Sequence, residues 1–211
     1  TLVVPIWIDE KLKWIFALDS TENHVYDATD QKVAEYICAE LPLLYRIFDL
    51  YLKTLEMSRY ESLTGLINRR YFDEVFERFD HLHQENHRPY MMVMIDLDGL
   101  KSINDLYGHL AGDVYLKAFS SFLKTVHLGG LYVARIGGDE FAVLFEGDDR
   151  DALKVKLDEA RNHFKLMPIR HENDVFYGNF SFGIAVCPDD ATDRSKLFQI
   201  SDMYMYRDKH R

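Results

Sequence analysis

Residues 135–145 read Arg-Ile-Gly-Gly-Asp-Glu-Phe-Ala-Val-Leu-Phe, in which two glycines and two acids stand between apolar runs. Residues rich in β-branched and aromatic side chains stand on both sides of the two glycines, which predicts a β-hairpin. Its expected tip is Gly137-Gly138, where the absent Cβ atoms permit positive φ and let an anionic ligand approach the main chain. Asp139 and Glu140 follow at once. Two carboxylates on a rigid turn are hard oxygen ligands of the kind that Mg²⁺ takes when it also holds substrate phosphates.

The composition excludes several classes of function. The chain has 211 residues, enough for one full core with some length left over. A net charge of −10 argues against a nucleic-acid-binding or anionic-membrane surface, because either needs a basic face. Cys38 and Cys187 lack metal-ligand spacing, and we interpret them as reduced thiols in a cytoplasmic protein. No apolar run approaches about 18 residues, so no direct membrane contact is expected.

The N-terminal part of the chain is predicted to contain two strands and a helix. Residues 3–8 and 12–18 are short runs of strand character, and residues 29–57 have helical periodicity. Pro42 predicts a kink or a new helix start. A heptad seam runs along the helix in alternating steps of three and four: Leu41, Leu44, Phe48, Tyr51 and Leu55. This seam either packs against its own domain or pairs with a second chain.

A second acidic motif ends a predicted buried strand. Residues 90–95 are a continuous apolar run of strand length, and Asp96-Leu97-Asp98-Gly99 follows. An acid at the end of a buried central strand is costly unless a cation or hydrogen bonds compensate it. Asp96 is therefore a candidate metal ligand. Farther along the chain, residues 175–186 are predicted to form one strand.

Together these motifs resemble the signature of the GGDEF family, the diguanylate cyclases. Residues 137–141 carry the family's Gly-Gly-Asp-Glu-Phe, and residues 96–113 resemble its Asp-x-Asp-x-Phe-Lys-x-x-Asn-Asp run with the later Gly-His and Gly-Asp, with Leu100 replacing Phe. Residues 60–70 resemble the family's entry segment, with Glu61 in place of Asp. A longer acid anchors a turn less well, so we expect a less rigid turn there.

The resemblance extends to the end of the chain and implies a fold and a domain organisation. Residues 181–185 match Ser-x-Gly-x-Ala, and residues 201–209 resemble the family's last helix. The implied fold is α/β (α+β), with a mostly antiparallel central sheet flanked by helices, like a nucleotidyl-cyclase palm with a ferredoxin-like core. We expect a partial GAF-like sensory fragment, a helical and potentially coiled-coil linker, and the GGDEF domain at residues 1–28, 29–57 and 58–211.

The resemblance also implies a role for each matching residue. Mg²⁺, with Mn²⁺ as the alternative, would be held by Asp96, the Leu97 carbonyl and Asp139, and the family credits the last acid as proton acceptor. Lys101 would neutralise charge on the transferring phosphoryl group, beside the catalytic Glu140. The implied substrate-binding residues are Gly99, Leu100, Asn104, His109, Asp113, Gly137, Gly138 and Lys209.

Within this substrate-binding set, different residues would meet different parts of GTP. The amides near Gly99 and Leu100 would cradle phosphates, and Lys209 would contact the triphosphate. Asn104 and Asp113 would hydrogen-bond the guanine, because an amide can meet O6 or N3 and a carboxylate can accept from N1–H and the 2-amino group. Adenine would leave Asp113 unpaired.

The implied activity is the Mg²⁺-dependent condensation of two GTP into the bacterial second messenger cyclic di-GMP, with release of two pyrophosphates. The enzyme would act as a homodimer with one GTP per subunit, regulated by an upstream sensory domain in cis. A catalytically inactive GTP-binding signalling regulator is the alternative, but its usual mark is the loss of an acid at Asp96, Asp139 or Glu140. A cyclase that also accepts ATP would be expected to replace Asp113. All four acids are present.

We predict that this chain lacks product inhibition through the loop before the hairpin. Many family members carry an inhibitory Arg-x-x-Asp pair there, whereas this chain has Leu128 and Leu131. An apolar pair cannot clamp an anionic product. Initial rates measured with added cyclic di-GMP should therefore stay unchanged. Micromolar inhibition that survives changes in this loop would count against the prediction.

Overall fold

The structure, a computed structural model, describes residues 1–22, 25–126 and 132–210. Two compact units are present, Thr1–Glu56 and Met57–Arg211. In chain order the elements are β1 Leu2–Ile8, β2 Lys11–Leu18, α1 Ala28–Arg59, β3 Ile67–Asn68, α2 Arg69–Asn86, β4 Tyr90–Asp98, α3 Leu100–Tyr107, α4 His109–Thr125, β5 Tyr132–Gly137, β6 Glu140–Glu146, α5 Arg150–Leu166, β7 Ile169–His171, β8 Asp174–Phe176, β9 Asn179–Cys187 and α6 Arg194–Lys209.

The first unit is an antiparallel pair of strands, β1 and β2, with most of α1. Its small apolar core consists of Val4, Ile6, Ala34 and Cys38, against which Leu41 packs. The helix continues through Pro42, so of the two outcomes expected there, a kink or a new helix start, the new start is not seen. The predicted seam is therefore divided, with Leu41 packed within the unit and Leu44, Phe48 and Tyr51 exposed.

None of the described helices combines the length and the apolarity that crossing a lipid bilayer requires.

The second unit is built on a five-stranded sheet in the order β3-β5-β6-β4-β9. The strand β4 pairs antiparallel with both β6 and β9, and β5 pairs antiparallel with β6. Only the short β3 is parallel to its neighbour among the described strands of this sheet. This arrangement confirms the predicted mixed fold with a mostly antiparallel sheet.

The central strand β4 is covered on both faces, which explains its unbroken apolar sequence. Its residues from Tyr90 to Leu97 are all buried. Because side chains alternate across a strand, Val93 and Ile95 enter a core with α4 and α5, whereas Met92 and Met94 enter a second core with α2 and α6. The strand is thus held from both sides up to the point where its acidic end begins.

One strand prediction was wrong in its bounds. The expected strand at residues 175–186 is interrupted, since β8 ends at Phe176 and β9 begins at Asn179. The interruption includes Gly178, where an added Cβ would lie 2.4 Å from the Tyr115 ring. Buried Tyr115 therefore occupies the space that a side chain at this position would need, and only glycine lets the main chain pass it so closely.

The helix α6 lies directly on β9, and Gly183 makes this close packing feasible. A Cβ on Gly183 would stand 2.1 Å from the Ser201 carbonyl oxygen and 2.3 Å from the Met205 amide nitrogen. Both atoms belong to the helix main chain, so the whole helix would have to move. The distance between α6 and the sheet is therefore set by a missing side chain.

We predict that Gly183→Ala destabilises the second unit by about 1–3 kcal/mol, because overpacking forces main-chain shifts. Gly137→Ala is the matched control, since an added Cβ there meets nothing within 4 Å. Denaturant unfolding of both variants measures the difference. Equal free energies of unfolding for Gly183→Ala and the parent chain would contradict this packing argument.

Candidate active site

The candidate site lies where β4 ends beside the start of β6. In the antiparallel register Asp96 stands opposite Glu140. The Leu97 amide donates to the Asp139 carbonyl oxygen at 2.9 Å, which extends the pairing past β6. Directly opposed residues share a face of the sheet, so two carboxylates meet at its edge. The sheet register alone thus brings together the two acidic motifs of the sequence.

The hairpin turn differs by one residue from the prediction. Gly137 pairs with Glu140, so the two turn residues are Gly138 and Asp139 rather than Gly137-Gly138. The register shifts between Arg135 and Gly137, which moves the turn along the chain. Gly138 has a φ of 53°, a left-handed conformation that favours glycine. Asp139 is thereby placed in the turn itself, next to the main chain of the predicted phosphate site.

The site is rich in negative charge. Burial raises the pKa of Glu140, and the charges of Asp202, Asp139 and Asp96 raise it further. The Lys209 ammonium donates to Asp96 Oδ1 at 2.6 Å. Burial acts to lower the pKa of Lys209, but the bond to Asp96 and the charges of Asp96, Asp139 and Asp98 together outweigh it and raise the pKa. Because these acids surround the buried carboxylate of Asp96, a positive charge bound beside them would be stabilising.

The donor set fits a divalent cation. In the described ranges, no three His, Cys, Asp or Glu side chains form a ready metal cluster. The set implied by the sequence needs only two carboxylates, those of Asp96 and Asp139, with the Leu97 carbonyl. Oxygen donors of this kind suit Mg²⁺, which keeps several waters and binds through one or two carboxylates plus substrate phosphates. The raised pKa of Glu140 shows that further positive charge would be favourable here.

The turn after β4 is held by Asp98, a residue to which the sequence analysis assigned no role. The Asp98 carboxylate accepts hydrogen bonds from the Ser181 hydroxyl at 3.0 Å and from the Asn179 side-chain Nδ2 at 2.7 Å. The Tyr115 hydroxyl donates to the Asp98 carbonyl oxygen at 2.8 Å. Gly99 follows with a φ of 80° and starts α3. The main chain at Gly99, predicted to cradle phosphate, is therefore held by side chains from β9 and α4.

The predicted base-binding residues lie on α3 and α4, on either side of the turn that joins these helices. The Gly108 amide donates to the Asn104 carbonyl oxygen at 2.9 Å and closes α3. The Asn104 side chain then lies over Gly112, where an added Cβ would stand 2.0 Å from Oδ1. Asp113 is the next residue. Of the two residues expected to read guanine, Asn104 on α3 thus packs against the residue that precedes Asp113 on α4.

The other predicted site residues on α3 and α4 are Leu100, Lys101 and His109. Leu100 is partly buried against the core of α4 and α5, which agrees with its packing role. Lys101 is exposed on the first turn of α3, and His109 is exposed at the first position of α4. Neither makes an ion pair with any residue that the structure describes. Leu128 and Leu131 lie outside the described residues.

The hairpin turn is tied to the entry segment by Arg135. Its Nε and Nη2 donate to the Gly138 carbonyl oxygen at 3.0 and 2.9 Å, and its Nη1 donates to Glu61 at 3.2 Å. Glu61 also accepts from the Leu63 and Thr64 amides, both at 3.0 Å. The expected loosening from Glu in place of Asp is therefore not seen, since the longer side chain caps the turn and reaches Arg135.

A scan against protein families finds the diguanylate cyclase GGDEF domain at residues 58–211. The chain belongs to the GGDEF family. Diguanylate cyclase DgcP of Escherichia coli is 32% identical over 182 residues, which are 84% of this chain and 52% of DgcP. The cyclic di-GMP phosphodiesterase PdeR of the same organism is 32% identical over 149 residues, 71% of this chain and 22% of PdeR.

Solved structures agree with the GGDEF assignment. A sensory box/GGDEF family protein of Caulobacter crescentus superimposes with a TM-score of 0.64 at 30% identity, covering 72% of this chain and 98% of that one. The coiled coil and GGDEF domain of DgcB from the same organism, solved with c-di-GMP, has a TM-score of 0.76 at 21% identity, covering 85% and 95%. The likeness to DgcB shows the fold alone. The chain spans about half of DgcP and about a fifth of PdeR.

We predict that Glu61 stabilises this GGDEF domain at neutral pH and not in acid. Burial acts to raise the pKa of Glu61, but hydrogen bonds from Leu63, Thr64 and Arg135 outweigh it and lower the pKa. A lowered folded-state pKa contributes stability above the unfolded pKa, and this contribution is lost as the pH falls through the folded value. Glu61→Gln should therefore be less stable than the parent at about pH 6, with the difference fading towards about pH 3.

Denaturant unfolding across this pH range measures the effect, and Glu159→Gln, an exposed position on α5, is the control. A difference between parent and Glu61→Gln that stayed constant with pH would show that the lost bonds do not depend on the charge of Glu61.

Proposed function

We propose that this chain is a Mg²⁺-dependent diguanylate cyclase that converts two GTP into cyclic di-GMP and two pyrophosphates. The observation that carries the proposal is the register that sets Asp96 opposite Glu140, with Asp139 in the adjoining glycine turn. These acids lie beside main-chain amides where the central strands β4 and β6 end and begin. This arrangement suits a triphosphate with its counter-cation, and it occurs in a domain whose relative DgcP is named a diguanylate cyclase.

Asp96, the Leu97 carbonyl and Asp139 would hold the cation, Mg²⁺ or its substitute Mn²⁺. When bound, the cation supplies charge neutralisation for the triphosphate and for the developing negative charge. Glycines at two places leave room for phosphate oxygens. Gly99 precedes α3, and Gly137 and Gly138 stand at the end of β5 and in the hairpin turn. Backbone N–H groups at these places can donate hydrogen bonds to an anion without any side chain having to reorganise.

The base would be selected by the helical side of the site. Asn104 and Asp113 offer an amide and a carboxylate to the guanine edge, and His109 lies between them in sequence. A carboxylate at Asp113 is satisfied by the paired donors of guanine, whereas adenine presents no such pair. GTP is therefore the proposed substrate.

The chemical step joins a 3′-hydroxyl to an α-phosphate. Asp139 accepts the hydroxyl proton as the oxygen attacks phosphorus, and the bond to the leaving pyrophosphate breaks. Lys101 and Lys209 stabilise the negative charge on the transferring and leaving phosphates, and Glu140, opposite Asp96, adds negative charge that attracts the cation to the site. Two such steps close the ring, one on each nucleotide.

Ring closure requires two nucleotides that face each other, and we propose that a homodimer provides them with one GTP per subunit. The apolar side chains on α1 support a paired helix, because Leu44, Phe48 and Tyr51 are exposed along it. Residues 29–57 would then be the linker between a GAF-like sensory fragment at 1–28 and the GGDEF domain. This linker would transmit a signal from an upstream sensory domain in cis to the GGDEF domain. The supply of GTP places this reaction in the cytoplasm.

A second candidate is a catalytically inactive GTP-binding regulator. The similarity to PdeR supports this second candidate, because PdeR is named a phosphodiesterase and not a cyclase. The presence of Asp96, Asp139 and Glu140 in one paired edge favours the cyclase. The two candidates differ in whether bound GTP is converted.

Purified chain with GTP and Mg²⁺ should form cyclic di-GMP, resolved by chromatography, and Asp139→Ala should lose at least about 100-fold in rate, because a proton acceptor and a cation ligand go together. Asp189→Ala removes an exposed acid outside the site and is the matched control. GTP that stays bound and unconverted at high protein concentration would contradict the cyclase and support the regulator.

A further inference from the structure

The ammonium of Lys209 bonds to the buried acid that is predicted to hold metal. Lys209 Nζ lies 2.6 Å from Asp96 Oδ1, and the two side chains are 38% and 11% exposed. The lysine is the last residue of α6, whereas the acid is on β4, so this contact joins two ends of the fold. No other ion pair in the described ranges involves Asp96 or Asp139.

The position of this ammonium follows from the surrounding charges. Asp96 stands opposite Glu140 in the sheet, and Asp139 adjoins both through the turn. Like charges directly opposite each other on a sheet are destabilising, and a buried carboxylate without a partner costs free energy. Lys209 provides one positive charge to this cluster, and among the described residues it is the cation that pairs with Asp96.

A lysine is a suitable occupant because it can leave. Its charge sits on a flexible stem of four carbons, and its side chain is more than one-third exposed. A divalent cation brings twice the charge and prefers the same oxygen atoms. The Lys209 ammonium and a divalent cation cannot both neutralise the Asp96 carboxylate fully, so binding of either cation weakens the binding of the other.

We propose that Lys209 acts as a resident counter-ion that exchanges with the divalent cation at Asp96. The inference rests on the proposed role of Asp96 as a metal ligand and adds a second role for Lys209. In the metal-free chain the lysine stabilises the acid cluster and opposes metal binding. Once displaced, its ammonium is free for the triphosphate of GTP, so the nucleotide gives the displaced charge a new partner and strengthens metal binding.

Lys209→Met and Arg207→Met are the variants that test this exchange. Both remove one positive charge from the last turn of α6, but exposed Arg207 lies towards the Tyr204 ring and has no ion pair in the described ranges. Mn²⁺ alone, without nucleotide, is the probe, and electron paramagnetic resonance reports its free concentration. Lys209→Met should bind Mn²⁺ on the order of tenfold more tightly than the parent, since a neighbouring opposite charge shifts a carboxylate's cation affinity by about this much or more.

Stability should change in the opposite direction. Without metal, Lys209→Met should melt at a lower temperature than Arg207→Met, because it leaves an uncompensated buried acid, and saturating Mn²⁺ should remove the difference. Lys209→Arg keeps the charge and should behave like the parent in both assays. Equal Mn²⁺ affinities for Lys209→Met and Arg207→Met would overturn the exchange.

A measurement on the parent chain covers the case in which Lys209→Met does not fold. Amine labelling followed by mass spectrometry should show faster modification of Lys209 when Mn²⁺ is added, with exposed Lys196 of the same helix unchanged. Unaltered labelling of Lys209 at saturating Mn²⁺ would overturn the proposal. Since these assays contain no GTP, exchange without any cyclic di-GMP formation would uphold this inference and reject the cyclase activity alone.

Discussion

The pairing of β4 with β6 is the constraint on which the site depends. Its register places Asp96 opposite Glu140, and the Leu97 amide continues the contact to the Asp139 carbonyl oxygen. A slip of one residue would turn every side chain of a strand to the other face, so it would separate Asp96 from Glu140 and exchange the side chains that the two cores receive. The apolar run before Asp96 therefore fixes the position of the chemistry as well as the stability of the sheet.

Several contacts compensate the cost of placing acids at that edge. Asp98 is satisfied by β9, Glu61 and Arg135 hold the hairpin turn, and Lys209 neutralises Asp96. These partners come from distant parts of the chain, and each constrains one loop of the site. The close approach of α6 to β9 at Gly183 matters for the same reason, because that helix carries Lys209.

Much of the fold followed from local sequence. The unbroken apolar run of β4 predicted a strand covered on both faces, and the glycine pair with its flanking strands predicted the hairpin. The strand at residues 175–186 could not be bounded correctly, because its break at Gly178 is set by Tyr115, more than 60 residues earlier in the chain. The turn itself moved by one residue, since the register shift before Gly137 leaves no mark in the sequence.

The supporting residues of the site were harder to predict than its motifs. Asp98 belongs to the acidic motif at residues 96–99, yet its partners Asn179 and Ser181 are recognisable only once β4 and β9 are paired. The contact of Lys209 with Asp96 spans 113 residues and depends on how α6 packs. Spacing patterns report neighbours along one helix or strand, whereas these contacts require the whole sheet.

The most direct measurement is a crystal structure of this chain with Mn²⁺ and a non-hydrolysable GTP analogue, with anomalous diffraction to locate the metal. Our central prediction is an anomalous peak bounded by the Asp96 carboxylate, the Leu97 carbonyl and Asp139, with the base at Asn104 and Asp113 and with Lys209 turned from Asp96 to the phosphates. A bound nucleotide whose metal lies away from Asp96 and Asp139 would contradict it.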